Sequence, residues 1–519
     1  MYILHKNKNN STNFFFIIIL CLFSFFINYH YAKLGSFPID TFLHYDSAHG
    51  ILNGELPIRD YWVVSGLTVD FIQSLFFKIF GTNWFAYTLH SSLFNCLTTV
   101  LVYFFFLELK INNLKAFLFS ISFAILSYTI SGTPFVDLHA TFFLLITTLL
   151  IINNLSTKFF FLWVLIVFLI FLSFLSKQVP ATYAIFAYSI ILFYFFIKKK
   201  DFKKIIIIIL SAISFLALLI ILLKFNKIDL KMFYIQYLDF PRSIGSYRVN
   251  NFEFSINTFF NNYKFIIIPA LLLTFIKIKK NLIISEEVIG FLIFLVFTII
   301  LIFHQLMTKN QIYIYFLIPI LFGFLEREID LSNYKLKKYF SIFLILVLAF
   351  ITTKYHLRYN ESRKFHDLTN LQLKTAVKAN KIHSSLAGLY WKNPHYSGNA
   401  LDEISILNRA QKKISSIKDE EIMLISHYNF LDSIISNNLN KPNKTFTIDG
   451  ASYPGKNSKH YDHYKIFLIN KIKKDKISKI LFFKHEKISP KIITIYIKKK
   501  CYDSYEDEIF YIFKLRCFN

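Results

Sequence analysis

Apolar runs long enough to cross a bilayer recur along most of this chain, and nothing constrains its fold more. A helix rises 1.5 Å per residue, so roughly 20 apolar residues span the ~30 Å hydrocarbon core. Such runs lie at about 13–32, 84–107, 116–131, 138–154, 159–175, 179–197, 205–223, 263–277, 287–303, 311–325 and 339–353. In lipid every backbone N–H and C=O must bond internally, and for single runs of this length only a helix does that. The chain is 55% hydrophobic, against ~45–50% in soluble domains. The sequence predicts a mainly α, polytopic membrane protein with about eleven transmembrane helices. Residues 63–81 are less apolar and carry Asp70, Gln73 and Lys78, so they read as an amphipathic juxtamembrane segment.

Lysine placement orients the spans. The run Phe14 to Asn28 follows Lys6 and Lys8 with no clean small-residue cleavage site, which reads as an uncleaved signal-anchor. With the N-terminus cytoplasmic, Lys110, Lys115, Lys158, KKKDFKK (198–204), KIKK (277–280) and KLKK (335–338) all fall inside, as the positive-inside rule requires. The first loop (33–83), SGTPFVD, SKQVP, the loop 224–262 and HQLMTKNQ then face the exterior. The organisation expected is a membrane domain at 1–353 and an exterior α/β domain at 354–519. In that tail EEIMLISHY, TFTIDG and ITIYIKKK read as strands. The address expected is the bacterial inner (plasma) membrane, multi-pass, with the C-terminal domain periplasmic.

The net charge of +26 does not point to nucleic acid. Lysine follows the positive-inside pattern, and Lys, Ile, Asn and Phe are all abundant together, as in a composition-biased genome. No aromatic-and-basic nucleic-acid module is present. Anionic lipid or a phosphorylated substrate fits the cations better. Cys21 and Cys96 lie in apolar runs, and Cys501 and Cys517 in the tail, where an oxidising exterior would allow a disulfide. The sequence carries no P-loop, GxSxG, HExxH or Rossmann fingerprint.

The polar interruptions carry the candidate chemistry. LHYDSAHGILNGELPIRDYW (43–62) puts Asp46 just beyond the first span, where a carboxylate serves as a general base or simply as a solvated loop acid. His44, Asp46 and His49 form H-x-D-x-x-H; with His139 these histidines are the side chains that could ligate a divalent metal, the one cofactor the pattern leaves open, or they are ordinary surface histidines. Asp137, in SGTPFVDLHATFF, reads either as a helix N-cap or as an acid in use near the bilayer. Lys177, Lys309 and Gln311, with Arg242 and Arg248, stand at exterior positions. They read as interfacial snorkels or as a phosphate grip.

Taken in order, these motifs resemble the GT-C superfamily of polytopic glycosyltransferases, near the protein O-mannosyltransferases and the lipid A aminoarabinose transferase. The resemblance covers roughly residues 14–325. It rests on DSAHGILNGELPIRDYW, QSLFFKIFGTNWFAYTLHSSL, FVDLHAT, LSKQ and TKNQIYIYFLIP. It implies sugar transfer from a polyprenyl-phosphate donor to a hydroxyl of a lipid, glycan or protein, by inverting single displacement at the exterior face. On this resemblance Asp46 matches the catalytic acid, Asp137 a second acid, and Lys177 and Lys309 the cations near the donor phosphate. The sequence departs from it at Asp46-Ser47, where close relatives carry Asp-Glu. It also has VVSG (63–66) in place of Glu-Lys-Pro, and no arginine in AYTLHSS. Two other classes compete: a transporter or flippase of lipid-linked sugars, and a glycan polymerase or ligase.

Overall fold

The structure, a computed structural model, describes residues 10–33, 41–127, 132–157, 159–250, 252, 254–279, 285–308, 314–332, 335–358, 373–417, 420–435, 439–444 and 451–518. Helix α1 (Asn10–Tyr31) is followed in the first loop by α2 (Tyr45–Leu52) and α3 (Leu67–Phe80). The bundle continues with α4 (Trp84–Glu108), α5 (Asn113–Ser127), α6 (Val136–Asn154), α7 (Phe160–Ser176), α8 (Gln178–Lys198) and α9 (Phe202–Phe225). A continuous helical stretch from Leu230 leads through α10 (Phe240–Asn250) to α11 (Ile256–Lys279), α12 (Glu286–Thr308), α13 (Leu317–Asp330) and α14 (Lys337–His356).

Among the described residues, eight of these helices are long and apolar enough to cross a membrane. Helices stand at every position marked in the sequence, but α5, α7 and α13 have only 15, 17 and 14 residues. Helix α9 makes the solvent plain. Ile213 and Ile221 are 58% and 62% exposed, and a helix apolar on every side is stable with such faces only against lipid.

The two ends of the bundle differ. At one end Lys115 pairs with Glu326 and Asp330, and Lys277 with Glu287 and Glu328, so the lysine-dense connections gather together. The opposite end carries Asp46, Asp70 and Asp137 with His44 and His304 and receives the C-terminal domain.

That domain is α/β. Strands β1 (Glu421–Ile425), β2 (Leu439–Asn440), β3 (Ile477–Phe483), β4 (Tyr502–Glu506) and β5 (Phe510–Leu515) form one sheet in the order β2-β1-β3-β5-β4. Strand β1 is parallel to β2 and β3, and β5 is antiparallel to β3 and β4. Helices α15 (Ala400–Ser416) and α16 (Tyr461–Lys474) accompany it, and Cys501 is disulfide-bonded to Cys517.

The segment ITIYIKKK corrects the sequence reading. Its first two residues, Ile493 and Thr494, close the helix Lys491–Thr494, and it forms no strand. Its buried residues are Ile493, Tyr496 and Ile497, the i, i+3, i+4 spacing of a helical stripe rather than an alternation. TFTIDG (445–450) lies outside the described residues.

The C-terminal domain is fastened to the first loop and to the segment after α9. Trp62 N–H donates to the Pro442 carbonyl at 2.7 Å, Lys474 pairs with Asp60 at 2.7 Å, and Lys459 with Asp239 at 2.8 Å. Trp62, Ile235 and Phe240 share one apolar cluster with Met423, Ile425 and Tyr464. Phe42, Tyr45 and Trp84 share another with Trp391 and Phe430.

Candidate active site

Helix α2 is anchored by its apolar positions. Tyr45 and Ala48 enter the cluster of Phe42, Phe77, Tyr87 and Phe430, and this turns Asp46 inward. Asp46 is fully buried, which overturns the solvated-loop alternative. One of its oxygens, Oδ2, pairs with Lys441; the other, Oδ1, is buried without a partner among the described residues. Burial pushes its pKa above the usual carboxylate value, Asp432 adds to this, and Lys441 and Lys444 oppose it. Lys444, also fully buried, bridges Glu55 at 2.5 Å and Asp432 at 2.8 Å. Those two carboxylates keep it charged despite burial. Both lysines belong to KPNK (441–444), the turn that leaves β2 of the C-terminal domain.

A second layer lies beneath. His44 Nδ1 is 2.6 Å from Asp70 Oδ1, and Ser47 Oγ donates to the same oxygen at 2.6 Å. The polar stripe of α3, Asp70 and Gln73, therefore faces the protein interior, while Leu75 and Ile79 are exposed. His90 Nδ1 meets Gln73 Oε1 at 3.0 Å, and His90 Nε2 meets His139 Nε2 at 3.1 Å. Four buried polar atoms, His44 Nε2, Asp46 Oδ1, Tyr61 Oη and Asp70 Oδ2, have no partner among the described residues. Each such atom costs ~1–3 kcal/mol, so their gathering marks a place that a ligand or water would complete.

Asp137 forms a third cluster. Lys177 Nζ lies 2.5 Å and His304 Nε2 2.7 Å from its Oδ1. The N-cap of α6 is Phe135, with no side-chain cap bond, so the N-cap alternative for Asp137 is corrected. Its neighbours instead satisfy it as one member of a buried ionic triad. Arg248 on α10 is near enough to act on His304. Arg242 and Arg248 are both exposed, and neither forms an ion pair among the described residues. Lys309 and Gln311 lie outside the described residues.

Gly66 joins the clusters. Its N–H donates to the Ser176 carbonyl at 2.8 Å, next to Lys177. Its φ is +94°, and a Cβ there would sit 2.7 Å from His44 Cε1 and 3.2 Å from Val136 Cγ1. Gly66→Ala should therefore cost ~1–3 kcal/mol from backbone strain alone. The check is thermal unfolding of the purified protein, where an unchanged transition would mean that this junction is loose.

The three candidate metal-binding histidines each meet other partners. His44 is committed to Asp70. His49 meets Thr82 Oγ1 at 3.2 Å and Asn53 Nδ2 at 3.0 Å, and His139 Nδ1 meets the Phe135 carbonyl at 2.9 Å. Among the described residues no group of three or more His, Cys, Asp or Glu that could hold a metal ion is present. No protein-family model and no curated protein matches the chain.

Sequence reasoning missed Asp70, His304, Lys441 and Lys444. The KPNK turn did carry a signal: two lysines beside a proline in a tail where positive-inside bias does not apply. Asp70 and Gln73 carried another, since a polar pair at i and i+3 on an apolar helix marks a buried contact as readily as a wet face.

Proposed function

We propose that the chain is a membrane glycosyltransferase that moves a sugar from a polyprenyl-phosphate donor to an acceptor hydroxyl at the exterior membrane face. One observation carries this reading above the others: Asp46 is a buried carboxylate with one oxygen held by Lys441 and the other free. A carboxylate so fixed, with its pKa raised by burial, suits a general base. The acceptor oxygen attacks the anomeric carbon, the hydroxyl proton passes to Asp46, and the carbon–oxygen bond to phosphate breaks with inversion. Polyprenyl phosphate leaves with the bonding pair. It is a good leaving group, so cations that neutralise it are the main electrostatic aid.

The donor's tail has a place to lie. A cavity of about 480 Å³ between α7, α8 and α9 is lined by apolar side chains such as Ile170, Phe171, Ala212 and Leu216, with Ser189 and Tyr188 the polar exceptions. It reaches Phe174, Leu219 and Phe233, which pack with Tyr61 in one cluster. Lys444 Nζ stands 5.8 Å from the Tyr61 ring centroid. A chain lying in this groove would bring its phosphate toward Lys444 and Lys441, with Lys177 and Arg248 as further cations at the same end of the bundle. Filling the groove with Ala212→Trp should raise KM for the lipid donor and leave kcat nearly intact. Two lost methylene contacts at ~0.8 kcal/mol each already amount to about tenfold. Steady-state kinetics with donor varied at saturating acceptor checks this, and an unchanged KM would remove the groove from the donor site.

The other assignments in this reading, the bacterial plasma membrane, a cytoplasmic N-terminus and an exterior C-terminal domain, draw support from the separation of the lysine-rich end from the end bearing Asp46. The disulfide in the C-terminal domain is also in keeping with an oxidising compartment.

A further inference from the structure

The C-terminal sheet has a feature that the transfer chemistry does not use. Chain connections leave β1 and β3 in opposite directions: β1 leads to β2 on one side, and β3 leads to β4 and β5 on the other. In open α/β sheets the crevice outside the carboxyl ends of two such parallel strands is where ligands bind. Here that crevice lies between Ser426–Tyr428, after β1, and Lys484–Glu486, after β3. It holds a dense polar cluster. His427 N–H donates to Glu486 Oε1 at 2.8 Å, Tyr428 Oη meets His485 Nε2 at 2.9 Å, and Tyr428 Oη donates to Glu403 Oε1 at 2.6 Å.

Two observations separate this cluster from a structural network. Glu403 is fully satisfied, receiving Trp391 Nε1 and Asn393 Nδ2 at 2.7 Å each besides the tyrosine. Glu486 Oε2 and His427 Nδ1, by contrast, are buried with no partner among the described residues. The irregular stretch 392–399 adjoins the cluster, its Tyr396 ring 5.7 Å from that of His485.

The charge state narrows the ligand. Burial pushes Glu486 up to about 8, so it carries its proton at neutral pH. Burial pushes His427 and His485 down to about 4, so both are neutral. The two atoms left without partners are thus one oxygen of an uncharged carboxyl, whose group is otherwise held by the His427 N–H and by Ser426, and one imidazole nitrogen, beside aromatic rings. That lining suits a ligand with many hydroxyls and no charge. It suits neither a phosphate nor a metal ion.

We infer that this crevice binds a saccharide, the sugar portion of the acceptor. The assignment to the acceptor rests on the transferase reading; the binding itself does not. The crevice is linked to the reaction centre through Lys441, which pairs with Asp46 and is near enough to act on Glu486. An acceptor held here would enter from the C-terminal domain, while the donor enters from the membrane groove.

The test uses the full chain in lipid nanodiscs, which avoids sugar-based detergents. Saturation-transfer NMR is recorded with free glucose, galactose, mannose and N-acetylglucosamine as probes. At least one sugar should show transfer above empty nanodiscs. Losing the contacts of Glu486 or Tyr396, at ~1 kcal/mol or more each, should weaken it by about fivefold in Glu486→Ala and in Tyr396→Ala. Asp46→Asn should bind as the wild type does. No transfer from any of the four sugars, or equal transfer in both crevice variants, overturns the inference. Sugar binding by a chain that proves to have no transferase activity keeps the crevice and removes only its assignment to an acceptor. Transferase activity without sugar binding removes the crevice and leaves the transferase reading standing.

Discussion

Asp46→Asn should lower sugar transfer by ~10²–10⁴-fold, the range for loss of a general base. The substitution keeps the shape of the side chain and an oxygen for Lys441 to donate to. It removes only the ability to accept a proton. The variant should therefore fold and carry its lipids as the wild type does, which size-exclusion chromatography and thermal unfolding would establish. The wild-type pH profile gives an independent reading. Burial raises the Asp46 pKa, and the base works only when ionised. Activity should thus fall as pH drops through a midpoint above the ordinary aspartate value of about 3.9. A midpoint at or below that value, or near-normal transfer by the variant, would detach Asp46 from the chemistry.

The second large effect concerns Lys441. Methionine at this position keeps much of the side-chain volume and removes the cation, leaving Asp46 buried without its direct ion-pair partner and with only the more distant Lys444 opposing its charge. Breaking a buried pair from one side costs ~3–5 kcal/mol, and proton uptake by Asp46 would relieve part of it. Lys441→Met is accordingly expected to lose several degrees of thermal stability. The double variant, Asp46→Asn with Lys441→Met, has no stranded charge and should recover ~1–3 kcal/mol relative to additivity, as contacting residues do in such cycles. It should remain inactive. If Lys441→Met unfolds with the wild type, or if the two substitutions are simply additive, then the C-terminal domain does not cover Asp46 as described. The same cycle distinguishes a docked domain from a tethered one, because the two residues are 395 positions apart.

That separation explains what the sequence could and could not reveal. Bilayer-length runs and one-sided lysines are local or additive signals, and helices duly stand at each place they marked. Asp46 was singled out because it matches the catalytic acid of the family the chain resembles and falls on the same side as the other exterior clusters; its spacing alone suited a loop acid as well as a base. Its partner was not singled out, because nothing local ties Lys441 to Asp46. His304 was hidden in the same way: it sits in an apolar helix and acquires meaning only when α6, α7 and α12 meet around Asp137. Asp70 was visible as a polar residue, but its direction depended on which face of α3 the bundle covers. ITIYIKKK misled because four closely spaced aliphatic and aromatic residues satisfy an alternating pattern almost as well as a helical one.

The most direct test of the central claim follows product in sealed proteoliposomes. Purified protein is reconstituted with a radiolabelled polyprenyl-phosphate sugar and a mixture of candidate acceptors. The account predicts release of free polyprenyl phosphate matched by label on the acceptor, with inverted anomeric configuration, and neither product from Asp46→Asn. Movement of intact lipid-linked sugar across the bilayer, with no polyprenyl phosphate released, would contradict it and identify a translocator instead.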